Sequence, residues 1–372
     1  MMQLNYGIIG CGMMGQEHLK NVALLDAADV VAVFEPNDQM AQEAQRLAPN
    51  AKRYDSVQAL LADQTVNCLI IASPNYFHLD QLIEIQRTRV LPILVEKPLF
   101  TNPDDLEKLE QFIDTYDAPV WVAMEYRYMP PITALREQIN SATGGVKQLT
   151  IREHRFPFLE KVNDWNRLNR KSGGTFVEKC CHFFDLMRLL VDGEPTRIYA
   201  SAGQAVNHLD ERYDGEASDI WDHGYVAVDF NNGTRAMLEL SMFAEGSRYQ
   251  EEISAVGAQG KIEAFIPGPG RFWPKELGDA PVPQVVVSPR NPKGPVVQEV
   301  PVDPELLEAG DHNGSTFYQH QRFAQLCRGE IDAPEVSLND GMQAVLMGLA
   351  AQSSARSGQS VDWPPQRDQL SN

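Results

Sequence analysis

Three side chains could together remove a proton from an alcohol: Glu178 and His182, which are close in sequence, and the distant Lys97. Oxidation of a secondary alcohol needs a base for the hydroxyl proton as hydride leaves the carbon, and a cation that stabilises the oxygen. Glu178 and His182 are four residues apart in a segment of helical character, so both could face one cleft. A carboxylate there could orient the imidazole and raise its basicity, and the Lys97 ammonium could donate to the substrate oxygen.

A glycine-rich motif near the N-terminus indicates a nucleotide site. It follows a strand-like apolar run, opens a helical segment, and consists of Gly10, Cys11, Gly12, Met13, Met14 and Gly15. Free N–H groups at the start of such a helix can bind a pyrophosphate. Glu35 ends the next strand-like run, where an acid accepts hydrogen bonds from the ribose hydroxyls and repels a 2′-phosphate. We therefore expect NAD as the cofactor, with NADP disfavoured.

Short apolar runs alternate with helical segments from Tyr6 to Met124. This order predicts an α/β unit, a doubly wound parallel sheet of Rossmann type with helices on both faces. Lys97 directly follows the run Ile93–Glu96, so it should lie at the carboxyl edge of that sheet, where a nicotinamide is expected. We assign residues 1–125 to an NAD-binding domain.

The pattern then changes to a helical segment, Gly174–Val191, followed by consecutive strand-like runs between Arg197 and Ile266. Consecutive strands favour an antiparallel sheet, and Asn231-Asn232-Gly233 is a hairpin turn signal. Two further helical segments close the chain, at 315–327 and 338–357. Residues 126–372 should therefore form an α+β domain with a mostly antiparallel open sheet.

Composition narrows the classes of partner and compartment. The 372 residues carry a formal net charge of -19, which would repel phosphate backbones and anionic membrane surfaces. We expect neither nucleic acid nor a membrane as partner. A neutral polyol would not be repelled by this net charge, whereas an anionic substrate would need a local basic pocket. The N-terminus has no secretory signal pattern, and no apolar stretch approaches the ~20 residues of a membrane span. Five cysteines without ligand spacing indicate reduced thiols in a cytoplasmic protein.

The order of these motifs resembles the Gfo/Idh/MocA family, named after glucose-fructose oxidoreductase, inositol dehydrogenase and rhizopine catabolism. The resemblance covers nearly the whole chain. It is carried by the glycine motif, by Ser73-Pro74-Asn75 with His78, by Glu96-Lys97-Pro98, and by the segment from Gly173 to Asp185. It implies an NAD-dependent dehydrogenase for a sugar, an inositol or a related polyol. It also implies an open sheet that mediates oligomerisation, so we expect a homodimer or homotetramer.

The resemblance also implies roles for individual residues. His182 would accept the proton, Lys97 would be its electrostatic partner, and Glu178 stands where the family more often has Asp. Cys180 and Cys181 replace small residues, which leaves the substrate open. Further cofactor contacts are expected from Ser73, Pro74, Asn75, His78, Glu96 and Lys97. The expected substrate-binding residues are Lys97, Arg127, His154, Trp165 and His182, although packing roles are equally compatible with Arg127, His154 and Trp165.

A metal site is disfavoured, and two alternative functions remain open. Glu178, Cys180, Cys181 and His182 could suggest a metal site, but Cys181 and His182 are adjacent and no distant pair completes a tetrahedron, so we expect no metal. A glycosidase or an epimerase that uses bound NAD transiently would need the same Lys97 and His182. A non-catalytic NAD-binding regulator would need no proton acceptor.

Overall fold

A computed structural model describes residues 1–370 of the chain. Its N-terminal part is a six-stranded parallel sheet in the order β3-β2-β1-β4-β5-β6. The strands are β1 (Leu4–Ile9), β2 (Ala28–Phe34), β3 (Lys52–Tyr54), β4 (Cys68–Ile71), β5 (Ile93–Glu96) and β6 (Val120–Ala123). The helices between them are α1 (Met13–Val22), α2 (Asp38–Leu47), α3 (Val57–Leu61), α4 (His78–Thr88) and α5 (Leu106–Thr115). The expected doubly wound parallel sheet is confirmed.

Strands β4, β5 and β6 are buried along their whole length, as expected where helices cover both faces of a sheet. Their residues are apolar except for Glu96 at the end of β5. The strand order reverses between β1 and β4, and in such sheets a ligand crevice forms outside the carboxyl ends of the strands at the reversal.

The remaining residues build a nine-stranded sheet in the order β16-β15-β14-β13-β7-β12-β11-β8-β17. Neighbouring strands are antiparallel except for β7 and β12, so the expected mostly antiparallel sheet is also confirmed. Its strands are β7 (Val146–His154), β8 (Pro195–Gly203), β11 (His223–Phe230), β12 (Arg235–Ser241), β13 (Glu251–Gly257), β14 (Gly260–Ile266), β15 (Gln284–Pro289), β16 (Val296–Glu299) and β17 (Val361–Asp362). A separate hairpin is formed by β9 (Arg212–Tyr213) and β10 (Glu216–Ala217).

The helices in this part of the chain are α6 (Pro130–Thr143), α7 (Asn169–Ser172), α8 (Thr175–Glu178), α9 (Cys181–Val191), α10 (Pro304–Ala309), α11 (Ser315–Cys327), α12 (Leu338–Ser357) and α13 (Arg367–Leu370). Three of them, α6, α9 and α12, pack against the second sheet. α12 packs against β8 and α9, whereas α10 and α11 return to pack on α1 of the first sheet. No helix among residues 1–370 is long and apolar enough to cross a membrane.

The expected single helix from Gly174 to Val191 is wrong in one respect. The structure divides it into α8 and α9, which are separated by Lys179 and Cys180. Glu178 therefore ends one helix and His182 belongs to the next. Their four-residue spacing does not place them on one helical face.

Candidate active site

A cavity of about 1010 Å³ lies at the carboxyl edge of the parallel sheet, beside the reversal between β1 and β4. Among the expected cofactor contacts, its wall includes Gly10, Gly12, Met13, Met14, Glu35, Ser73, Pro74, Asn75, His78, Glu96 and Lys97. Trp165 and Glu178 from the second part of the chain also line it, while Cys11 and Gly15 do not. The cavity is therefore shared between the two sheets.

The three glycines of the motif have different structural tasks. Gly10 has a φ of +90°, and a side chain there would lie 2.5 Å from the Ser73 backbone nitrogen. A side chain at Gly15 would lie 2.3 Å from the Gly10 carbonyl oxygen, so these two positions require glycine for the tight turn. Gly12 has no atom within 4 Å on its open side, and it precedes the uncapped N-terminus of α1. This empty space beside free N–H groups fits a pyrophosphate.

The Glu35 carboxylate is fixed by the backbone on either side of the cavity. One oxygen accepts from the Cys11 N–H at 2.7 Å and the other from the Asn37 N–H at 2.8 Å. Burial and the charge of Glu35 raise the pKa of the Cys11 thiol to about 12. Cys11 is thus an inert thiol behind the glycine loop, and Glu35 presents negative charge at the position expected for a ribose.

Lys97 enters the cavity directly after β5. Its Nζ donates to the Glu178 carbonyl oxygen at 3.0 Å, and no carboxylate among residues 1–370 lies within 4 Å of it. Burial alone would lower the pKa of Lys97, but the charges of Glu178, Cys181 and Glu96 raise it above its ordinary value. The side chain is therefore an ammonium with hydrogen-bonding capacity to spare.

Glu178 connects the two sheets rather than orienting His182. Its carboxylate accepts a short hydrogen bond from the Asn75 side-chain amide, which also donates to the Ser172 carbonyl at 3.1 Å. The contact expected between Glu178 and the imidazole is not formed, because the chain turns between α8 and α9.

The His182 imidazole is 2% exposed and does not itself line the cavity. It stacks on the Tyr126 ring, with centroids 4.2 Å apart and planes 8° from parallel. Its Nδ1 has no hydrogen-bond partner among the described residues. Burial, and then the charges of Lys97 and Lys179, hold the pKa of His182 well below its ordinary value. The ring is neutral near pH 7 and free to accept a proton, although its basicity is lowered rather than raised.

Glu125, which sequence reasoning missed, provides the carboxylate beside His182. One of its oxygens lies 3.6 Å from His182 Nε2 and 4.0 Å from His312 Nε2, and the other has no hydrogen-bond partner in residues 1–370. Burial and the charge of Glu96 raise the pKa of Glu125 to about 7. One signal could have identified it: Glu125 follows β6 as Lys97 follows β5, at the same edge of the sheet.

A second buried pair stabilises this corner of the site. His312 Nδ1 lies 2.8 Å from Glu17 Oε1, so the loop before α11 is joined to α1. Burial alone would lower the pKa of His312, but the Glu17 carboxylate raises it to about 9. Burial alone would raise the pKa of Glu17, but the charge of His312 outweighs burial and lowers this pKa to about 2.

A row of three buried side chains closes the back of the cavity. His18 Nε2 lies 2.9 Å from Glu96 Oε1, and His18 Nδ1 lies 2.9 Å from His320 Nε2. The row connects α1, the end of β5 and α11. It therefore fixes the residue that immediately precedes Lys97.

Two of the expected substrate-binding residues lie away from the cavity. Arg127 forms a two-pronged ion pair with the buried Asp185 carboxylate and donates to the Glu335 carbonyl, so it is a packing residue. His154 pairs with Glu239 at 3.1 Å on the outer face of the second sheet. Successive residues of a strand point to opposite faces, and in β7 it is Glu153, not His154, that faces inward.

Trp165 lines the cavity, and its contact with the substrate stays a prediction. Its ring is 6.1 Å from that of Tyr76, and the Lys161 ammonium lies 5.4 Å from the Trp165 ring centroid.

No group of three metal-ligating side chains is present among residues 1–370.

Comparisons with known proteins agree with this architecture. The family model described as an oxidoreductase family with an NAD-binding Rossmann fold matches residues 4–124, and its C-terminal alpha/beta domain matches residues 136–363. Myo-inositol 2-dehydrogenase of Thermotoga maritima is 25% identical over 264 residues, which cover 70% of this chain and 75% of that protein. Rhizopine catabolism protein MocA of Rhizobium meliloti is 25% identical over 284 residues, 74% of this chain and 81% of that protein.

A solved structure extends the likeness to the whole fold. Levoglucosan dehydrogenase in complex with NADH and levoglucosan superposes with a TM-score of 0.79 at 20% identity. The match covers 98% of this chain and 100% of that chain. At this identity the likeness concerns the fold alone.

Proposed function

This chain belongs to the Gfo/Idh/MocA family of NAD-binding oxidoreductases, and from that premise we propose that it is a dehydrogenase for a sugar, an inositol or a related polyol. It transfers hydride between the nicotinamide and a secondary alcohol carbon. The observation that carries this proposal is the Lys97 ammonium in the cavity together with the neutral His182, whose Nδ1 has no partner among residues 1–370 and whose pKa is lowered by burial and by the charge of Lys97.

The residues of the cavity fit the cofactor that the family binds. The free N–H groups after Gly12 would hold the pyrophosphate, and Glu35 the ribose hydroxyls. The wall formed by Ser73, Pro74, Asn75 and His78 would position the nicotinamide half. When bound, NAD supplies the hydride acceptor.

The protein residues then handle the proton. Lys97 donates a hydrogen bond to the substrate oxygen and stabilises the negative charge that develops there. His182 accepts the hydroxyl proton. The imidazolium that results is stabilised by the Glu125 carboxylate, 3.6 Å away. Glu178 acts through Asn75, and we assign it a positioning role between the two sheets.

The proposal also covers organisation and compartment. We assign NAD binding to residues 1–125, and substrate binding and assembly to residues 126–372, of which 371 and 372 lie outside the described residues. A cytoplasmic location is supported by five cysteines that are all free thiols.

The first prediction concerns the choice of cofactor. Because the Glu35 carboxylate repels a 2′-phosphate, NAD should bind at least about tenfold more tightly than NADP. This ratio corresponds to a difference of about 1.4 kcal/mol in binding free energy. Glu35→Ser should narrow this ratio, whereas Glu43→Ser on α2 should not change it. Fluorescence titration of both cofactors measures the ratio. Equal affinities in the unmodified protein would remove Glu35 from the proposed site.

The second prediction concerns proton transfer. His182→Ala should lower turnover by roughly 10²–10⁴-fold, the usual contribution of a positioned acid–base group, with little change in NAD affinity. Lys97→Met should be similarly damaging. The double variant should lose much less than the product of the two defects, because both groups act on one oxygen.

The assay follows NADH formation with a panel of sugars, inositols and polyols, alongside the melting temperature of each variant. His208→Ala, which removes an imidazole paired with Glu211 outside the cavity, is the matched control. Near-normal turnover by His182→Ala would contradict the assignment. Substrate conversion without net NADH would favour the glycosidase or epimerase alternative.

The third prediction concerns assembly. The outer face of the nine-stranded sheet exposes three large apolar or aromatic side chains on the adjacent strands β8, β11 and β12. Tyr199 is 49% exposed, Tyr225 is 55% exposed and Met237 is 38% exposed. Soluble monomers seldom expose such apolar patches, so we propose that a second copy covers this face in a dimer or tetramer. Light scattering at micromolar concentration should give a multiple of the chain mass, and Tyr225→Glu should reduce it. A monomeric unmodified protein would refute this arrangement.

A further inference from the structure

We propose that the substrate carries a carboxylate beside its hydroxyl groups, as in a uronic or aldonic acid, and that Lys161 binds this carboxylate. The inference rests on the proposed dehydrogenase function and specifies its substrate class. It starts from an ammonium that the protein itself leaves without a counter-ion.

Lys161 lines the same cavity as Lys97 and Glu178. It is half-buried, and its Nζ lies over the Trp165 ring at 5.4 Å from the centroid. No carboxylate in residues 1–370 lies within 4 Å of this nitrogen, although other buried cations nearby are paired. An unpaired charge in a partly dry pocket is costly unless a ligand compensates it.

The backbone holds Lys161 in this position by a tight local turn. Asn163 and Asp164 have φ values of +57° and +41°, in the left-handed region that few non-glycine residues occupy. The Asp164 side chain accepts from the Lys161 N–H at 3.2 Å, and the Asp164 N–H donates to the Lys161 carbonyl at 2.9 Å. Backbone strain of this kind concentrates at ligand sites, where it fixes a side chain in advance.

Several cations lie near Lys161, together with the carboxylates of Glu178 and Glu96. Lys179 and Arg155 share a single carboxylate, Glu153, at 2.8 and 3.4 Å. Burial lowers the pKa of Lys161, the Glu178 carboxylate partly offsets the shift, and the Lys97 cation adds to it. An anion bound here would relieve the repulsion between these cations.

The cofactor does not explain this charge. Its pyrophosphate belongs at the open N-terminus of α1, next to Gly12. Lys161 instead interacts with the groups at the other end of the cavity, Lys97, Glu178, Glu96 and Arg155. That end adjoins the reacting carbon in the proposed function, so the anion is part of the substrate.

A carboxylate fits better than a phosphate because one ammonium needs one negative charge, and Lys97 is already used for the reacting oxygen. The charge would also act on catalysis through two shared neighbours. Burial lowers the pKa of His182 most, and Lys97 and Arg155, which also act on Lys161, lower it further. A carboxylate bound at Lys161 would offset part of the effect of these two cations when the substrate is bound.

The test compares acids with their neutral parents on the NAD-bound protein. The pairs are glucuronate with glucose, galacturonate with galactose, and gluconate with glucitol, and glucose 6-phosphate serves as the phosphate probe. We expect kcat/KM for at least one acid to exceed that of its parent by about 10- to 100-fold, the effect of one charged hydrogen bond. Lys161→Met should reduce that ratio by about the same factor, mainly through KM. Lys161→Arg should keep part of it, and Lys147→Met on the surface of β7 should leave it unchanged.

A binding measurement separates this inference from the proposed function. The same acids are titrated into the NADH complex by following cofactor fluorescence, which needs no turnover. Binding that depends on Lys161, without NADH formation from any compound, would support the carboxylate site and count against the dehydrogenase. Oxidation of neutral parents and acids at equal rates, unaffected by Lys161→Met, would overturn the carboxylate site and leave the dehydrogenase intact. A preference for glucose 6-phosphate, absence of saturable binding by every acid, or a Lys161→Met variant that binds NADH itself more weakly would also overturn it.

Discussion

The site depends on one physical constraint, the cost of removing charge from water where the two sheets meet. Several charged side chains buried there have an opposite charge within 4 Å, as in Glu17 with His312 and Glu153 with Lys179. Lys97 and Lys161 differ, since their ammonium groups line the cavity and no carboxylate among residues 1–370 lies at that distance. These two ammonium groups mark positions for ligand oxygens. Lys97 would bind the reacting hydroxyl, and Lys161 would bind the carboxylate of the substrate.

Buried polar pairs also connect the segments that form the walls of the cavity. α10 and α11 come from the end of the chain, yet they pack on α1, which carries the nucleotide loop. Glu17 with His312, and His18 with Glu96 and His320, connect these helices to the strand end that bears Lys97. A change in α10 or α11 would therefore displace Lys97, which lies more than two hundred residues earlier in the sequence.

Much of the fold follows from local patterns. Alternating apolar runs predicted the parallel sheet, and the two closing helices expected at 315–327 and 338–357 coincide with α11 and α12. The glycine motif and Lys97 were recognisable because strand ends in a parallel sheet share one edge. Glu125 was recognisable only by its position after β6, and the Glu17–His312 pair was not recognisable, since only tertiary packing brings those two segments together. Helical spacing also failed where the chain turns between Glu178 and His182, and His154 faces outward because strand parity depends on register.

The most direct test is the protonation state of His182, because the proposed chemistry requires a neutral imidazole buried among cations. Nitrogen NMR of protein with labelled histidine, assigned by comparison with His182→Gln, reports that state directly. The structure predicts that His182 is neutral at pH 7 in the ligand-free protein, since burial and neighbouring cations hold its pKa well below the ordinary value of about 6.5. An imidazole that titrates at or above that value would contradict the proposed electrostatics and remove His182 as the proton acceptor.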